Sequence, residues 1–337
     1  MASPTLHLGL IGAGRIGRVH AENLTRRIPN ASLRIVADID WEAAARCAER
    51  GGIAEAAAEH HAVLNHPDIR AIVICSATHT HAAIVEEAAA AGKHIFCEKP
   101  LALRLDEIDR ALSAVSRAGV KLQVGFNRRF DANNQRVRQA VVKGEIGRPQ
   151  RLHIISRDPS PPPSDYLKTS GGIFLDMTIH DFDLARYLIG SEVAEVYSVG
   201  AALGHPEIAA LGDLDTAVTI LRFENGVIGT IDNSREAAYG YDQRVEIFGS
   251  GGVIGTGNHY PNSAVLSTAQ AVQRDLPLHF FLERYAQSYL DEMKAFVEAV
   301  LGDCSVPVTG QDGRKAAALA LAARRSLEAN RLVEVAY

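Results

Sequence analysis

The sequence predicts an α/β domain built on a doubly wound parallel sheet, followed by an α+β domain with an open, mainly antiparallel sheet flanked by helices. Two observations predict this order. Up to about residue 125, short apolar runs alternate with Ala-rich helical patterns, whereas from Val193 to Leu266 strand patterns follow one another without a long helix. A chain of 337 residues is long enough for two such domains. We therefore expect domains at residues 1–125 and 126–337.

The first domain contains five apolar runs of strand length, separated by helical patterns. Helices between successive strands favour parallel pairing, with helices on both faces of the sheet. Gly92 and Gly119 directly follow two of these helices, as residues that end a helix often do. The strands are predicted at Leu6–Ile11, Leu33–Ala37, Ala71–Cys75, His94–Cys97 and Leu122–Val124, and the helices at Ile16–Arg27, Glu42–Arg50, His81–Ala91 and Leu103–Ala118.

The second domain shows a different pattern of elements. Glu224-Asn225-Gly226 separates two strand patterns and indicates a hairpin, and the Pro-rich segment Pro159–Pro163 predicts a loop. Strands are predicted at Gln150–Ser156, Thr216–Phe223, Val227–Asn233, Gln243–Phe248 and Val253–Gly255. Helices are predicted at Ala132–Lys143, Leu175–Ile189, Leu282–Leu301 and Gly313–Asn330.

Charge and cysteine content argue against several classes of function. The formal net charge of −5 and the lack of basic runs argue against binding to nucleic acid or to an anionic membrane surface. No apolar stretch reaches the length of a transmembrane helix, and we expect no signal peptide because no basic segment precedes a long apolar run. The 4 cysteines form no CxxC pair, so we expect free thiols in a reducing cytoplasm.

The segment Gly-Ala-Gly-Arg-Ile-Gly matches G-x-G-x-x-G and lies between a predicted strand and a predicted helix. The first glycine permits a tight turn, the second lets the backbone approach a pyrophosphate, and the third lets helix and strand pack closely. The helix start offers free N–H groups to the phosphates. A glycine-rich turn without a ligand is the alternative. We predict a Rossmann domain whose cofactor site includes Gly12, Gly14, Arg15, Ile16 and Gly17.

Asp38 follows the second predicted strand, about 20 residues after the glycine loop. A carboxylate in this position accepts hydrogen bonds from the adenosine ribose hydroxyls and repels a 2′-phosphate. The next residues, Ile39-Asp40-Trp41, include no arginine. Asp38 therefore favours NAD over NADP, although Arg15 or Arg18 could approach a phosphate from the glycine loop.

Polar residues also follow the next strands, at the sheet edge where open α/β sheets bind ligands. Thr78 and His81 lie in a segment suited to contact the cofactor, and His79-Thr80-His81 lacks the further ligands of a metal site, so we predict no metal. Glu98 and Lys99 end the following strand. A lysine there can meet a substrate oxygen; an ordinary surface lysine is the alternative.

Asp176, His180 and Asp183 are spaced to share one face of a helix. Histidine is the natural general base near neutral pH, and a carboxylate one turn away can fix its tautomer. Each residue has an alternative interpretation. Asp176 could cap a helix, Asp183 could pair with Arg186, and His180 could be a half-buried histidine without a catalytic role.

Two further segments contain candidates for substrate binding. Arg128 and Arg129 follow a strand of the first domain, and either could bind substrate hydroxyls or a neighbouring carboxylate. Tyr239–Asp242 could contact substrate or merely begin a strand. There is no G-x-S-x-G motif and no cysteine paired with a nearby histidine, which argues against a covalent hydrolase.

Taken together, these motifs resemble the glucose–fructose oxidoreductase and inositol dehydrogenase family. The resemblance covers nearly the whole chain. Within the family, Ser156–Pro159 and Tyr239–Arg244 are most similar to bacterial inositol 2-dehydrogenases. The broader resemblance depends on Gly9–Gly17, Phe96–Leu101, Gly125–Asp131, Gly171–Asp176 and His180–Asp183.

The resemblance implies that Lys99, Asp176 and His180 are the catalytic residues and that Lys99–Pro100 is a cis peptide. It implies a homo-oligomer packed through the C-terminal sheet, with a homotetramer favoured over a dimer. It also implies that the closing helices return to the first domain. Some inositol dehydrogenases have a histidine where this chain has Ser156, so the substrate contact at that position is open.

We therefore expect an NAD-dependent oxidoreductase that acts on CH–OH groups of a cyclic polyol, with oxidation of myo-inositol to 2-keto-myo-inositol as the leading hypothesis. His180 would accept the hydroxyl proton, Asp176 would orient His180, and Lys99 would stabilise charge on the substrate oxygen. The alternatives are an NAD(P)-dependent dehydrogenase of scyllo-inositol, glucose or another pyranose, and a non-catalytic NAD(H)-binding regulator. The predicted substrate-binding residues are Lys99, Arg129, Asp158, Asp176, His180, Asp183 and Tyr241.

Overall fold

The computed structural model describes residues 4–337, and its contacts separate two compact units. The first unit consists of the chain up to Phe130 together with Gln287–Ala317. The second consists of Asp131–Ala286 together with Ala318–Tyr337. The functional division after residue 125 that the sequence suggests stays a prediction.

The first unit contains, within the described residues, a sheet of six parallel strands in the order β3-β2-β1-β4-β5-β6. The strand order reverses between β1 and β4, which is the switch point of a doubly wound fold. The predicted Rossmann sheet is therefore confirmed. Its strands are β1 (Leu6–Ile11), β2 (Ala31–Ala37), β3 (Glu55–Ala57), β4 (Ala71–Ile74), β5 (His94–Glu98) and β6 (Leu122–Gly125).

Helices connect the strands of the first unit, and their ends follow from the sequence. The side chain of Asp40 accepts a hydrogen bond from the N–H of Ala43 and caps one helix, which ends before Gly52 at φ 62°. Gly119, at φ 67°, ends another in the same way. The helices are α1 (Arg15–Arg26), α2 (Trp41–Gly51), α3 (His61–Leu64), α4 (Thr78–Ala90) and α5 (Leu105–Ala118), followed by a 3₁₀ turn at Asn127–Phe130.

The second unit contains, in the described part of the chain, a sheet of seven strands in the order β12-β11-β7-β10-β9-β8-β15. Its neighbours are antiparallel except for β7 and β10, so the mainly antiparallel sheet is confirmed. The strands are β7 (Pro149–Arg157), β8 (Val193–Ala201), β9 (Thr216–Phe223), β10 (Ile228–Ser234), β11 (Asp242–Gly249), β12 (Gly252–Thr256) and β15 (Val333–Glu334), with a separate hairpin of β13 (Val265–Ser267) and β14 (Val272–Arg274).

The helix expected at Leu175–Ile189 is divided in the structure into a π-helical turn, Phe174–Thr178, and α8 (Ile179–Ile189). The hydroxyl of Thr178 donates to the carbonyl of Ile173, five residues earlier, which suits the wider turn. Asp176 therefore lies in the π-helical turn and His180 in α8, so the expectation of one regular helix over both residues was wrong. The other helices of this unit are α6 (Ala132–Val142), α7 (Ser164–Leu167), α9 (Pro206–Ala210) and α10 (Phe281–Arg284).

Two longer helices close the chain, α11 (Ala286–Leu301) and α12 (Gly310–Ala329). The single helix expected at Leu282–Leu301 is interrupted at Tyr285, between α10 and α11. The apolar face of α11 enters the core of the first unit, where Met293 and Phe296 are fully buried beside Leu8. Among the described residues, no helix is both long enough and apolar enough to cross a membrane.

Candidate active site

The glycine loop between β1 and α1 allows unusually close backbone approaches. Gly12 has φ 99°, and a Cβ there would lie 2.5 Å from the carbonyl carbon and oxygen of Cys75. A Cβ at Gly17 would lie 1.9 Å from the carbonyl oxygen of Gly12, so neither position tolerates a side chain. Gly14 has open space around it, and no side chain caps the start of α1. The backbone N–H groups of this helix start are thus available to a phosphate.

Asp38, just beyond β2, is tied to the glycine loop. Its Oδ2 accepts a hydrogen bond from the N–H of Ala13 at 2.6 Å, and its Oδ1 accepts one from the N–H of Asp40 at 2.9 Å. Each carboxylate oxygen can accept more than one hydrogen bond, so capacity remains for ribose hydroxyls. The loop and this carboxylate together fit the adenosine diphosphate half of NAD.

Lys99 follows β5 and is half-buried, and the Lys99–Pro100 peptide is cis, as the family resemblance implies. His81 holds this turn, because its Nδ1 lies 2.8 Å from the carbonyl oxygen of Pro100 and its Nε2 lies 3.0 Å from that of Ser76. Burial lowers the pKa of His81. Its imidazole is thus committed to the backbone near Lys99, while Thr78 begins α4 and is half-buried. Direct cofactor contacts from Thr78 and His81 stay predictions.

Glu98 belongs to a buried cluster that the sequence did not reveal. Its Oε1 lies 2.8 Å from Nε2 of His20, and a carboxylate oxygen of Glu292 lies within 4.8 Å of both groups. Burial and the charge of Glu98 raise the pKa of Glu292 well above its ordinary value. Gly125, opposite Glu98 on β6, leaves the necessary room, since a Cβ there would lie 2.9 Å from Oε2 of Glu98.

Asp176 lies in the π-helical turn of the second unit and bonds to side chains from two other segments. Its Oδ2 accepts a hydrogen bond from Nη1 of Arg235 at 3.1 Å, and its Oδ1 accepts one from the hydroxyl of Tyr166 at 2.7 Å. The residue at the cap position of this turn is Ile173, and Asp176 lies inside the turn, so Asp176 does not serve as its helix cap. π-Turns are frequent at functional sites, and this one carries the predicted catalytic aspartate.

His180 is half-buried near the start of α8, a region that is fixed to the sheet. Asn233 of β10 donates to Oδ2 of Asp181 at 2.8 Å and accepts from the hydroxyl of Thr178 at 2.8 Å. Asp183 is 1% exposed. Its Oδ1 lies 3.8 Å from Nη1 of Arg186, so the alternative pairing foreseen from the sequence is present.

The other predicted substrate residues are held by their surroundings. Arg129 donates to Oδ1 of Asp312 at 2.9 Å; although burial opposes ionisation, the charge of Arg129 helps to lower the pKa of Asp312. The N–H of Asp158 donates to the carbonyl of Ser234, which anchors its backbone beyond β7. Tyr241 is buried against the rings of Phe280 and Tyr285. Ser156 donates to Oε1 of Gln243 at 3.2 Å within the sheet.

Comparison with known proteins now identifies the family. Residues 6–126 match the model described as oxidoreductase family, NAD-binding Rossmann fold, and residues 134–255 match the GFO/IDH/MocA C-terminal domain. This chain belongs to the GFO/IDH/MocA oxidoreductase family. The family inferred from the motifs and the NAD cofactor predicted from the glycine loop and Asp38 are both confirmed.

Relatives of this GFO/IDH/MocA oxidoreductase match it over almost its full length. An uncharacterized oxidoreductase of Bacillus subtilis is 51% identical over 95% of this chain and 93% of its own. Myo-inositol 2-dehydrogenase of Thermotoga maritima is 47% identical over 98% of both chains. The crystal structure of scyllo-inositol dehydrogenase from Lactobacillus casei, with bound NAD(H) and scyllo-inositol, has a TM-score of 0.93 at 31% identity and covers 99% of this chain and 100% of that one.

Sequence reasoning missed several residues around the predicted site of this GFO/IDH/MocA oxidoreductase. Tyr166 and Arg235 bind Asp176, while His20 and Glu292 surround Glu98. Arg235 directly follows the polar end of a strand, which offered a weak signal at most. Glu292 lies among the apolar positions of α11, and a carboxylate at a helix position that otherwise reads as buried was a usable signal.

Proposed function

We propose that this protein oxidises a secondary alcohol of a cyclic polyol with NAD, and that its main reaction converts myo-inositol to 2-keto-myo-inositol. The observation that carries the proposal is the match to myo-inositol 2-dehydrogenase of Thermotoga maritima, 47% identical over 98% of both chains. The structure supports it by retaining, in the second unit, a fixed carboxylate at Asp176 and a half-buried histidine at His180.

In this proposal, bound NAD accepts the hydride from the carbon that carries the reacting hydroxyl. His180 takes the hydroxyl proton as general base, and Asp176 stabilises the charged imidazole that results. Lys99 donates a hydrogen bond to the substrate oxygen and stabilises negative charge as it develops. His81 fixes the backbone next to Lys99. This limits the positions that the ammonium group can take, so the group moves less when charge develops on the substrate oxygen.

We propose that charged and neutral polar side chains together form hydrogen bonds with the remaining substrate hydroxyls. A ring of hydroxyl groups needs such partners, because an unpaired buried hydroxyl costs binding energy. Arg129 carries a guanidinium group that Asp312 holds in place, and Asp158 has a carboxylate on a backbone anchored to Ser234. Asp183 and Tyr241 complete the proposed set.

A second candidate substrate is scyllo-inositol, favoured by the similarity to the scyllo-inositol dehydrogenase of Lactobacillus casei. The two isomers differ in the orientation of one hydroxyl, so the same catalytic residues suit both. Initial rates with myo-inositol, scyllo-inositol, glucose and another pyranose, each with NAD and with NADP, distinguish the candidates. We expect the highest kcat/KM with myo-inositol and NAD. Cofactor binding without turnover on any polyol or sugar would contradict the proposal.

We also propose that the protein forms a homotetramer through the open face of its second sheet. Large apolar side chains alternate outward on neighbouring strands there and are exposed in the single chain, which is typical of a surface that a second copy covers. Residues 1–125 would then serve the cofactor, and 126–337 the substrate and the subunit contacts. The outward-facing apolar residues are Val199, Val218, Ile220, Ile228, Phe248 and Val253.

A cytoplasmic location is part of the proposal as well. All four cysteines, which lie within the described residues, are free thiols, as expected of a protein in a reducing compartment.

Cys75 and Cys97 are buried in the first unit, and burial raises the pKa of each thiol well above its ordinary value. These two thiols are therefore inert packing residues rather than nucleophiles.

A further inference from the structure

Arg235, the residue after β10, is a buried arginine whose side chain is bound on every side. It is 1% exposed. Nη1 lies 3.1 Å from Oδ2 of Asp176, and Nη2 lies 3.2 Å from Oδ2 of Asp213. Nε donates to the carbonyl oxygen of Leu214 at 3.3 Å. All three nitrogens of the guanidinium group are thus engaged, so its position and orientation are fixed.

The charge of Arg235 is permanent, because a guanidinium group does not lose its proton in proteins. The side chain of Asp176 is 11% exposed, so water contributes little to its solvation. Its other oxygen accepts a hydrogen bond from Tyr166 of α7. A carboxylate that receives a charged donor on one oxygen and a neutral donor on the other is favoured in its ionised form. The next titratable group of the proposed mechanism is His180, at the start of α8.

Asp213 connects the same guanidinium group to the backbone that precedes Asp176. Its Oδ1 accepts a hydrogen bond from the N–H of Ile173 at 2.8 Å, immediately before the π-helical turn. Gly172, at φ 82°, gives Asp213 the necessary room, since a Cβ there would lie 3.0 Å from Oδ1 of Asp213. Arg235 therefore binds the carboxylate of Asp176 directly. It also binds Asp213, which in turn holds the backbone of Ile173 just before the π-helical turn that contains Asp176.

We propose that Arg235 is a positioning residue for the oxidation, acting through Asp176. It keeps Asp176 ionised and in one orientation, so that Asp176 can support the protonated form of His180. This inference rests on the proposed function. It adds a residue that acts through Asp176, and it assigns Asp213 the task of fixing the guanidinium group from its other side.

The test compares Arg235→Lys and Arg235→Gln with the wild-type enzyme. Lysine retains the charge but cannot bridge two carboxylates with a planar fork, and glutamine removes the charge. We measure kcat and KM for myo-inositol against pH, NAD affinity by fluorescence titration, and the thermal midpoint. We expect kcat to fall at least about tenfold in Arg235→Lys, and further in Arg235→Gln, because small displacements of catalytic groups have such effects. The acidic limb of the kcat/KM profile should move to lower pH, most in Arg235→Gln, because Asp176 then gives the protonated form of His180 less support, while NAD affinity stays the same.

Arg136→Lys and Arg136→Gln are matched controls. Arg136 forms an exposed ion pair with Glu145, 2.6 Å away, in the same unit, and we expect wild-type kinetics from both variants. A folded Arg235 variant with an unmoved acidic limb would overturn the proposal, whether or not kcat falls, since a merely structural role lowers activity without that shift. If neither Arg235 variant folds, Arg235 is a stability residue and the proposal is wrong. An inactive wild-type enzyme would instead overturn the proposed function.

Discussion

Each unit of the molecule holds two carboxylates close together with little access to water, and the two pairs are stabilised differently. In the first unit, Glu98 and Glu292 lie beside His20. In the second unit, Asp176 and Asp213 share the guanidinium group of Arg235. Two carboxylates in one apolar site cannot both stay ionised without a compensating charge. The second cluster receives that charge from an arginine, whereas in the first cluster burial and the charge of Glu98 raise the pKa of Glu292 well above its ordinary value, which favours its protonated form.

The difference shows which cluster can respond to pH. A carboxylic acid loses its proton as the pH rises through its pKa, so the net charge of the first cluster changes with pH. The arginine of the second cluster keeps its charge at every pH that the fold survives. The residue beside the permanent charge, Asp176, is the one that the proposed mechanism requires to stay ionised. The fold thus places a permanent positive charge, that of Arg235, next to Asp176, whose negative charge the proposed reaction uses.

The largest effect is expected from His180→Ala, which tests whether His180 is the base that the ionised Asp176 supports in the proposed mechanism. Without the imidazole, no positioned base accepts the hydroxyl proton, so we expect kcat for myo-inositol oxidation to fall at least about a hundredfold. NAD affinity should not change, because the glycine loop and Asp38 lie in the other unit. His205→Ala removes a partly exposed histidine of the same unit and is the control. Wild-type turnover by His180→Ala would remove this residue from the mechanism.

A smaller effect is expected from Glu292→Gln, which tests the protonated cluster of the first unit. Burial and the charge of Glu98 raise the pKa of Glu292 well above 4.5, so the folded state holds this proton to a higher pH than the unfolded state does. The wild-type protein therefore loses stability as the pH rises above 4.5 toward the pKa of the folded state. Glutamine keeps the shape without ionising, so the variant should gain on the order of 1 kcal/mol at neutral pH.

Thermal midpoints of Glu292→Gln and wild type at about pH 5 and about pH 8 measure this difference. The advantage of the variant should be small at the lower pH and larger at the higher one. Glu298→Gln, at an exposed position of the same helix, is the control and should show no such trend. A variant that is less stable than wild type at both pH values would mean that Glu292 is ionised and bound by a partner in the folded protein.

Most of the fold and part of the site could be predicted from the sequence, for local reasons. The strand, glycine loop and helix at the N-terminus are adjacent in the chain. Gly12 and Gly17 lie where a Cβ would clash with nearby backbone atoms, at 1.9 Å in the case of Gly17. Thr216–Phe223 was predicted with the bounds it has, because the turn signal Glu224-Asn225-Gly226 directly follows the strand pattern. Asp38 followed from its distance to the glycine loop.

The features that could not be predicted from the sequence depend on contacts between segments that are distant in the chain. Arg235 reaches Asp176 only because β10 and the π-helical turn are packed together, and no local pattern reports that register. The π-turn itself requires an extra residue per turn that the 3.6-residue period does not reveal. Glu292 is buried because α11 returns to the first unit. A sequence shows the spacing of residues along a helix, but it does not show which other elements that helix will meet.

The most direct measurement of the proposed reaction follows the hydrogen on carbon 2 of myo-inositol. With the substrate deuterated at that carbon, the purified protein and NAD, we expect one deuterium in each NADH formed and a slower rate whenever hydride transfer limits turnover. The organic product should be 2-keto-myo-inositol without the label at that carbon. NADH that forms without deuterium would show that the hydride leaves another carbon and would contradict the proposed reaction.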